Sequence, residues 1–254
     1  MAILTDIVNL LNETLQPQRF EDTALNGLQV DAGTQHVTTV GLAVDSGLSV
    51  IQEAIKLKCE LLIVHHGLFW GKEVPLTESY GEKVRLLMRH GCSVYGAHLP
   101  LDAHMTLGNN IALADFFELE GATGAFPHHG SLIGVVAHSS APRKRSYFLD
   151  QSKNMIGALA SPLMLPFGKE EITSVGIVSG GAALDIVEAK KLGVDLFITG
   201  EPKQSVYHLA QELQINALFA GHYATETFGV QRLGALLQKQ FGVAPRFIDI
   251  PTGI

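Results

Sequence analysis

Residues 54–66, AIKLKCELLIVHH, return 135 positions later as AKKLGVDLFITGE (189–201), and this repeat restricts the fold more than any single motif. Superposed, Ala54 falls on Ala189, Leu57 on Leu192 and Ile63 on Ile198, while His65-His66 falls on Gly200-Glu201. In each copy a helical pattern runs into a short apolar stretch. Four consecutive apolar residues, Leu61 to Val64, suit a central parallel strand covered on both faces. Around them the pattern reads strand (37–44), helix (49–58) capped by Ser46 or Ser49, strand (61–64), helix, strand (93–97). Ile51, Ala54, Ile55 and Leu57 are expected on the inner side of the first helix, and Val84, Leu87 and Met88 on that of the second. A further helix is expected over 109–119. From Ser174 the same order returns: SVGIV, ALDIVEAKK, VDLFITGE, ALFAGH. Two generic βαβ units would also look alike, because all such units do.

The stretch 122–165 changes character, with short strand-like runs (LIGVVA, YFLD) and a Pro-rich ending, and reads as an inserted or bridging β-rich segment. The fold class expected is therefore α/β, with two similar βαβ-type lobes and a short β-rich middle segment. The expected division is an N-terminal α/β lobe over 1–125, then the middle segment and second lobe over 126–254.

Sites in α/β proteins gather beyond the carboxyl ends of parallel strands. His65-His66 ends one such strand and His98 another, and Glu201 ends the strand matching His66. His98-x-x-x-Asp102 and His222-x-x-x-Glu226 share a spacing and lie 124 residues apart. If a helix begins near Gly221, His222 and Glu226 lie one turn apart on one face. Pro100 argues for a loop between His98 and Asp102. Imidazole is the commonest protein metal ligand. His65, His66, His98, Asp102, His222 and Glu226 thus form a candidate N/O donor set without cysteine, suited to Zn, Mn, Fe or Ni. Six donors exceed the needs of one tetrahedral ion, and neighbouring His65 and His66 point apart unless the chain turns. A two-metal site is the economical reading. The bland alternatives are a polar strand end and a carboxylate that merely complements a helix dipole. His128-His129 reads as a loop. SGGAALD (179–185) reads as a tight βα turn in preference to a phosphate cradle.

Composition narrows the function classes. A net charge of −7 argues against broad electrostatic binding to nucleic acid. No apolar stretch approaches the roughly 18 residues of a membrane span. Cys59 and Cys92, each just before an apolar run, read as buried free thiols, which suits a reducing compartment. With no signal-peptide pattern at the N-terminus, a cytoplasmic protein is expected.

HHGLFW (65–70), HLPLDAH (98–104) with GNN (108–110), ITGE (198–201), GHYATE (221–226) and NGLQV (26–30) together resemble the Nif-three-like proteins, many of them labelled GTP cyclohydrolase 1 type 2 homologues. The match runs from about residue 20 to the C-terminus. The resemblance implies two similar α/β lobes, a dinuclear metal site between them and a homohexameric ring. It places the ligands on His65, His66, Asp102, His222 and Glu226, with Glu226 as the bridge and His98 lining the site. Some members carry a larger inserted domain, which this chain lacks. The activity implied is that of a metal-dependent hydrolase acting on a small, nucleotide-like molecule, with GTP or a damaged nucleotide as candidates, through a metal-activated water. His98 or Glu201 would move the proton. The alternative is a metal-binding scaffold or regulatory protein without catalysis.

Overall fold

A computed structural model describes residues 1–156 and 160–254; the part of the expected β-rich segment at 157–159 lies outside the described residues. The chain forms two compact units. One comprises residues 1–101 and 229–250, the other 102–228 and 251–254.

In the first unit five strands run in the order Ala244–Phe247, Thr39–Asp45, Leu61–His66, Ser93–Gly96, Gly27–Val30. The first four are parallel, and Gly27–Val30 is antiparallel to its neighbour. Leu61–His66 is the middle strand, and Leu61 to Val64 are wholly buried. Leu62 and Val64 pack in a cluster with Val50, Ile51 and Ala54 of helix Leu48–Lys56 and Leu87 of helix Glu78–His90. A residue buried this completely contributes about 1.5–3 kcal/mol over an exposed one. Helix Leu4–Leu15 buries Leu4, Ile7, Leu11 and Leu15, and its Asn12 Oδ1 accepts the Tyr95 hydroxyl at 2.8 Å.

The second unit holds a six-stranded sheet in the order Glu120–His128, Ser131–Lys144, Glu171–Ile177, Leu196–Thr199, Asn216–Phe219, Leu163–Pro166. Its inner three, from Glu171–Ile177 to Asn216–Phe219, are parallel, and both flanks are antiparallel. Val175, Ile177, Leu196, Ile198 and Leu218 pack with Leu113 and Phe117 in one core cluster.

One strand pair in each unit has the same register. Val40, Gly41 and Leu42 pair with Leu61, Leu62 and Ile63; Val175, Gly176 and Ile177 pair with Leu196, Phe197 and Ile198, every residue displaced by 135. The turn before each second strand carries the same clamp. Glu60 Oε2 accepts the N–H groups of Thr38 (3.1 Å) and Thr39 (2.8 Å), and Asp195 Oδ2 accepts those of Thr173 (3.0 Å) and Ser174 (3.1 Å). The next strand carries a different offset of 123, from Ser93 to Asn216 and from Gly96 to Phe219. The ladder therefore sets Gly221, not His222, on the place of His98, and the expected offset of 124 is one residue too long.

Other expectations need correction. The division near residue 125 does not hold: helix Asn109–Phe116 and the strand beginning at Glu120 lie in the second unit, and residues 229–250 belong to the first. The middle segment is no insertion, because its hairpin and Leu163–Pro166 are strands of the six-stranded sheet. YFLD is helical, within Arg145–Ile156; Phe148 and Ser152 are buried one turn apart, and Ser152 Oγ donates to Phe148 O at 2.8 Å. Gly47, with no side-chain bond, caps Leu48–Lys56 in place of Ser46 or Ser49. Met88, in the last turn of Glu78–His90, is 49% exposed, and Leu57, which caps the end of Leu48–Lys56, is 37% exposed.

Asp195 yields a stability prediction. Burial alone would raise its pKa, but the N–H and hydroxyl of Thr173, together with Lys169 and Ser174, hold it well below the usual carboxylate range. A folded-state pKa below the unfolded value means stability that is complete above about pH 4 and lost as pH falls through the folded pKa. Asp195→Asn is expected to cost about 2 kcal/mol at pH 7. Urea unfolding should show the gap from the parent protein shrinking below about pH 4; a gap independent of pH would refute the charge-based account.

Candidate functional site

His65 and His66 close the middle strand of the first unit, and the chain bends at Leu68. The two neighbouring rings lie close, with centroids 4.9 Å apart and planes tilted by 50°. His98, two residues beyond Gly96 on the adjacent strand, brings a third ring 5.1 Å from that of His65 and 5.8 Å from that of His66. Each of the three offers a ring nitrogen, and these atoms lie within 4.8 Å of one another.

In each ring an oxygen faces Nδ1. His65 Nδ1 lies 2.8 Å from Ala97 O, which can only accept, so Nδ1 carries the hydrogen and Nε2 the lone pair. His66 Nδ1 lies 2.9 Å from Oδ1 of Asp45, its cross-strand partner. His98 Nδ1 lies 3.0 Å from both oxygens of Asp22. An oxygen acceptor on Nδ1 is the arrangement that orients metal-binding histidines through Nε2.

The loop before Gly27–Val30 supplies much of this support. Asp22 also accepts the N–H groups of Ala24 (2.9 Å) and Leu99 (3.2 Å), and the Asn26 amide at 2.8 Å. Burial opposes ionisation of Asp22, yet His98, Asn26 and Ala24 bring its pKa down to about 2. Asn26 Oδ1 takes the His98 N–H at 2.7 Å. Gln29 accepts the Leu68 N–H at 2.7 Å and donates to Leu25 O, with its amide seated where a Cβ on Gly67 would stand. Trp70 walls the cluster, 5.0 Å edge-on from His98 and 5.7 Å from His66, its Nε1–H donating to Gly67 O at 2.9 Å.

Pro100 does not prevent a helix. Leu99–Asp102 is a single helical turn, and proline in a first turn forfeits an N–H that has no helical partner there.

In the second unit Asp102 is buried, and its Oδ1 accepts from Asn109 Nδ2 (2.8 Å) and Ser179 Oγ (2.9 Å). Asn110 holds Asp102 O at 3.0 Å and takes the Ser179 N–H at 2.7 Å, which accounts for the GNN motif. His222 opens the short helix His222–Thr225, and Glu226 follows it before helix Thr227–Phe241. The two side chains meet as their spacing predicts, with Nε2 3.3 Å from Oε1. Glu201 Oε2 lies 2.8 Å from His222 Nδ1. Burial would depress the His222 pKa, but Glu226 and then Glu201 outweigh it and push it up to about 9.

Gly180 explains the SGG turn. Its φ is +65°, and a Cβ there would collide with Glu226 Oε1 and stand 3.1 Å from His222 Nε2. These two side chains lie against the position that a Cβ on Gly180 would take.

The structure thus gathers His65, His66 and His98 in one unit, and His222, Glu226 and Glu201 in the other, with Asp102 fastened to Ser179 beside Gly180. His128 ends strand Glu120–His128 and pairs with Ser131, so the loop reading needs correction there; His129, with φ +45°, stands in the turn of the hairpin. Cys59 and Cys92 are free and buried in the apolar cluster of the first unit, and burial pushes their thiols up to about 11 and 12. With imidazole and carboxylate donors and no thiolate, the donor set fits a divalent metal ion. Among the described residues no helix is long and apolar enough to cross a membrane.

The family model described as Duf34/NIF3 (NGG1p interacting factor 3) matches residues 2–252. A GTP cyclohydrolase 1 type 2 homolog of Deinococcus radiodurans is 36% identical over 98% of this chain and 94% of that protein. The crystal structure of TTHA1606 from Thermus thermophilus is 38% identical, with a TM-score of 0.89, covering 99% of this chain and all of that one. Protein ybgI, titled as of unknown function, superposes with a TM-score of 0.91 at 31% identity, over 99% of this chain and 100% of that one.

Proposed function

The chain belongs to the Duf34/NIF3 family, and from that premise we propose that it binds two divalent metal ions and hydrolyses a nucleotide-like substrate. The observation that carries the proposal is common to four imidazoles. His65, His66, His98 and His222 each have Nδ1 against an oxygen acceptor, which directs Nε2 to other work. Such uniform orientation is more than a polar strand end requires.

His65, His66, Asp102, His222 and Glu226 would hold the ions. When bound, two divalent ions supply Lewis acidity that acidifies water and offsets charge on a phosphate. Asp102 and Glu226 would contribute negative charge from buried positions, and the family resemblance would give Glu226 to both ions. Glu201, engaged with His222 Nδ1, orients that ring. His98, outside the ligand set, accepts a proton at Nε2 and returns it to the leaving group. The substrate class and a homohexameric ring rest on the family resemblance. Buried thiols without a disulfide support a reducing, cytoplasmic setting.

The test combines metal analysis with a substrate screen. The purified chain is expected to hold about two equivalents of zinc, manganese, iron or nickel and to turn over a nucleotide or phosphoester from a broad panel. Two tightly held ions without turnover across the panel would favour a scaffold; fewer than one equivalent after metal loading would defeat the dinuclear reading.

A further inference from the structure

Asp22 lies far from His98 in sequence, yet its side chain is 3% exposed and its partners among the described residues are all donors: the Ala24 and Leu99 N–H groups, the Asn26 amide and His98 Nδ1. Asn26 closes the arrangement by binding both Asp22 and the His98 N–H. The carboxylate is thus held at both oxygens by groups that cannot reverse their polarity, and the imidazole is held at its backbone and at one ring nitrogen.

We propose that Asp22 is a positioning residue that locks neutral His98 in the Nδ1–H tautomer, so that the lone pair on Nε2 faces the imidazole cluster and exchanges the proton of the reaction. This rests on the reading of His98 as the proton carrier. Nε2 takes a proton from water as its O–H bond breaks, the imidazolium keeps both N–H groups with Nδ1–H on Asp22, and Nε2 releases the proton to the departing oxygen. Without an acceptor at Nδ1 the ring has no reason to prefer this tautomer, and the Nε2–H form, which cannot accept, competes. A carboxylate that served only to cap the Leu99 turn would leave the tautomer unaffected.

Histidine-selective ¹⁵N NMR of the zinc-loaded full chain reads the tautomer directly. In the parent protein, His98 is expected to show a protonated Nδ1 and a lone pair on Nε2; a protonated Nε2 would overturn the proposal without any variant. In Asp22→Asn one end of the side chain becomes a donor, and His98 should shift toward the Nε2–H form. Circular dichroism and zinc content should remain those of the parent. Turnover of bis(p-nitrophenyl) phosphate by the manganese-loaded protein should fall on the order of 10²-fold. An unchanged tautomer in the folded variant overturns the proposal. A switched tautomer with unchanged turnover upholds Asp22 as the orienting group and instead removes His98 from the proton transfer.

Discussion

In Glu226→Ala, metal analysis is expected to find well under one equivalent where the parent holds about two. Glu226 is 2% exposed, and a buried carboxylate is costly unless a cation or several donors compensate it. His222 Nε2, 3.3 Å away, is one such group in the metal-free chain. The fold also makes room for this side chain, because Gly180 leaves open the position that Glu226 Oε1 takes. Removing the carboxylate has two opposing consequences. It takes away the main influence raising the His222 pKa, so the imidazole loses its proton more readily and competes better for metal. It also removes the anion shared by both ions in the proposed arrangement. The second effect should dominate, since loss of groups that merely orient ligands already costs about 10–100-fold in metal affinity. Undiminished occupancy in the variant would end the bridging assignment. Unchanged thermal stability of the metal-free variant would show that the loss is not one of folding.

Short-range patterns in the sequence carried the strands and the ligand spacing, and long-range pairing carried the rest. Leu61 to Val64 announce a buried strand because burial on both faces needs apolar residues in a row. His222 and Glu226 announce one face of a helical turn because the period is local. Asp22, Asn26, Gln29 and Asp45 gave no such signal. Their partners lie 21 to 77 residues away, brought close by the sheet and the loop before Gly27–Val30. Asn26 and Gln29 stand in NGLQV, a motif visible by resemblance, but its purpose depends on His98 and Leu68 arriving from elsewhere. Gly180 reads as a turn residue; only the packed structure shows Glu226 against it. YFLD looks like a strand in isolation, yet it is helical, with Phe148 buried. The strand Ala244–Phe247, which the sequence pattern did not single out, is placed by pairing with Thr39–Asp45.

His98→Gln separates activity from metal binding. Glutamine matches the reach of the imidazole and can still donate to Asp22, so the Asp22–Asn26 arrangement around the Leu99 turn should persist. It cannot accept and release a proton near neutral pH. The five assigned ligands are untouched, and the Nδ1 contacts of His65 with Ala97 and of His66 with Asp45 do not involve His98. The variant is therefore expected to keep both metals while turnover of bis(p-nitrophenyl) phosphate, or of any nucleotide the screen identifies, falls on the order of 10²-fold, the usual contribution of a general acid or base. Metal content and turnover measured on the same preparation distinguish the outcomes. Full metal with unchanged turnover would exclude His98 from the mechanism. Lost metal would make His98 a ligand beside His65 and His66, whose ring nitrogens lie within 4.8 Å of its own, and the first unit would then carry an all-imidazole site.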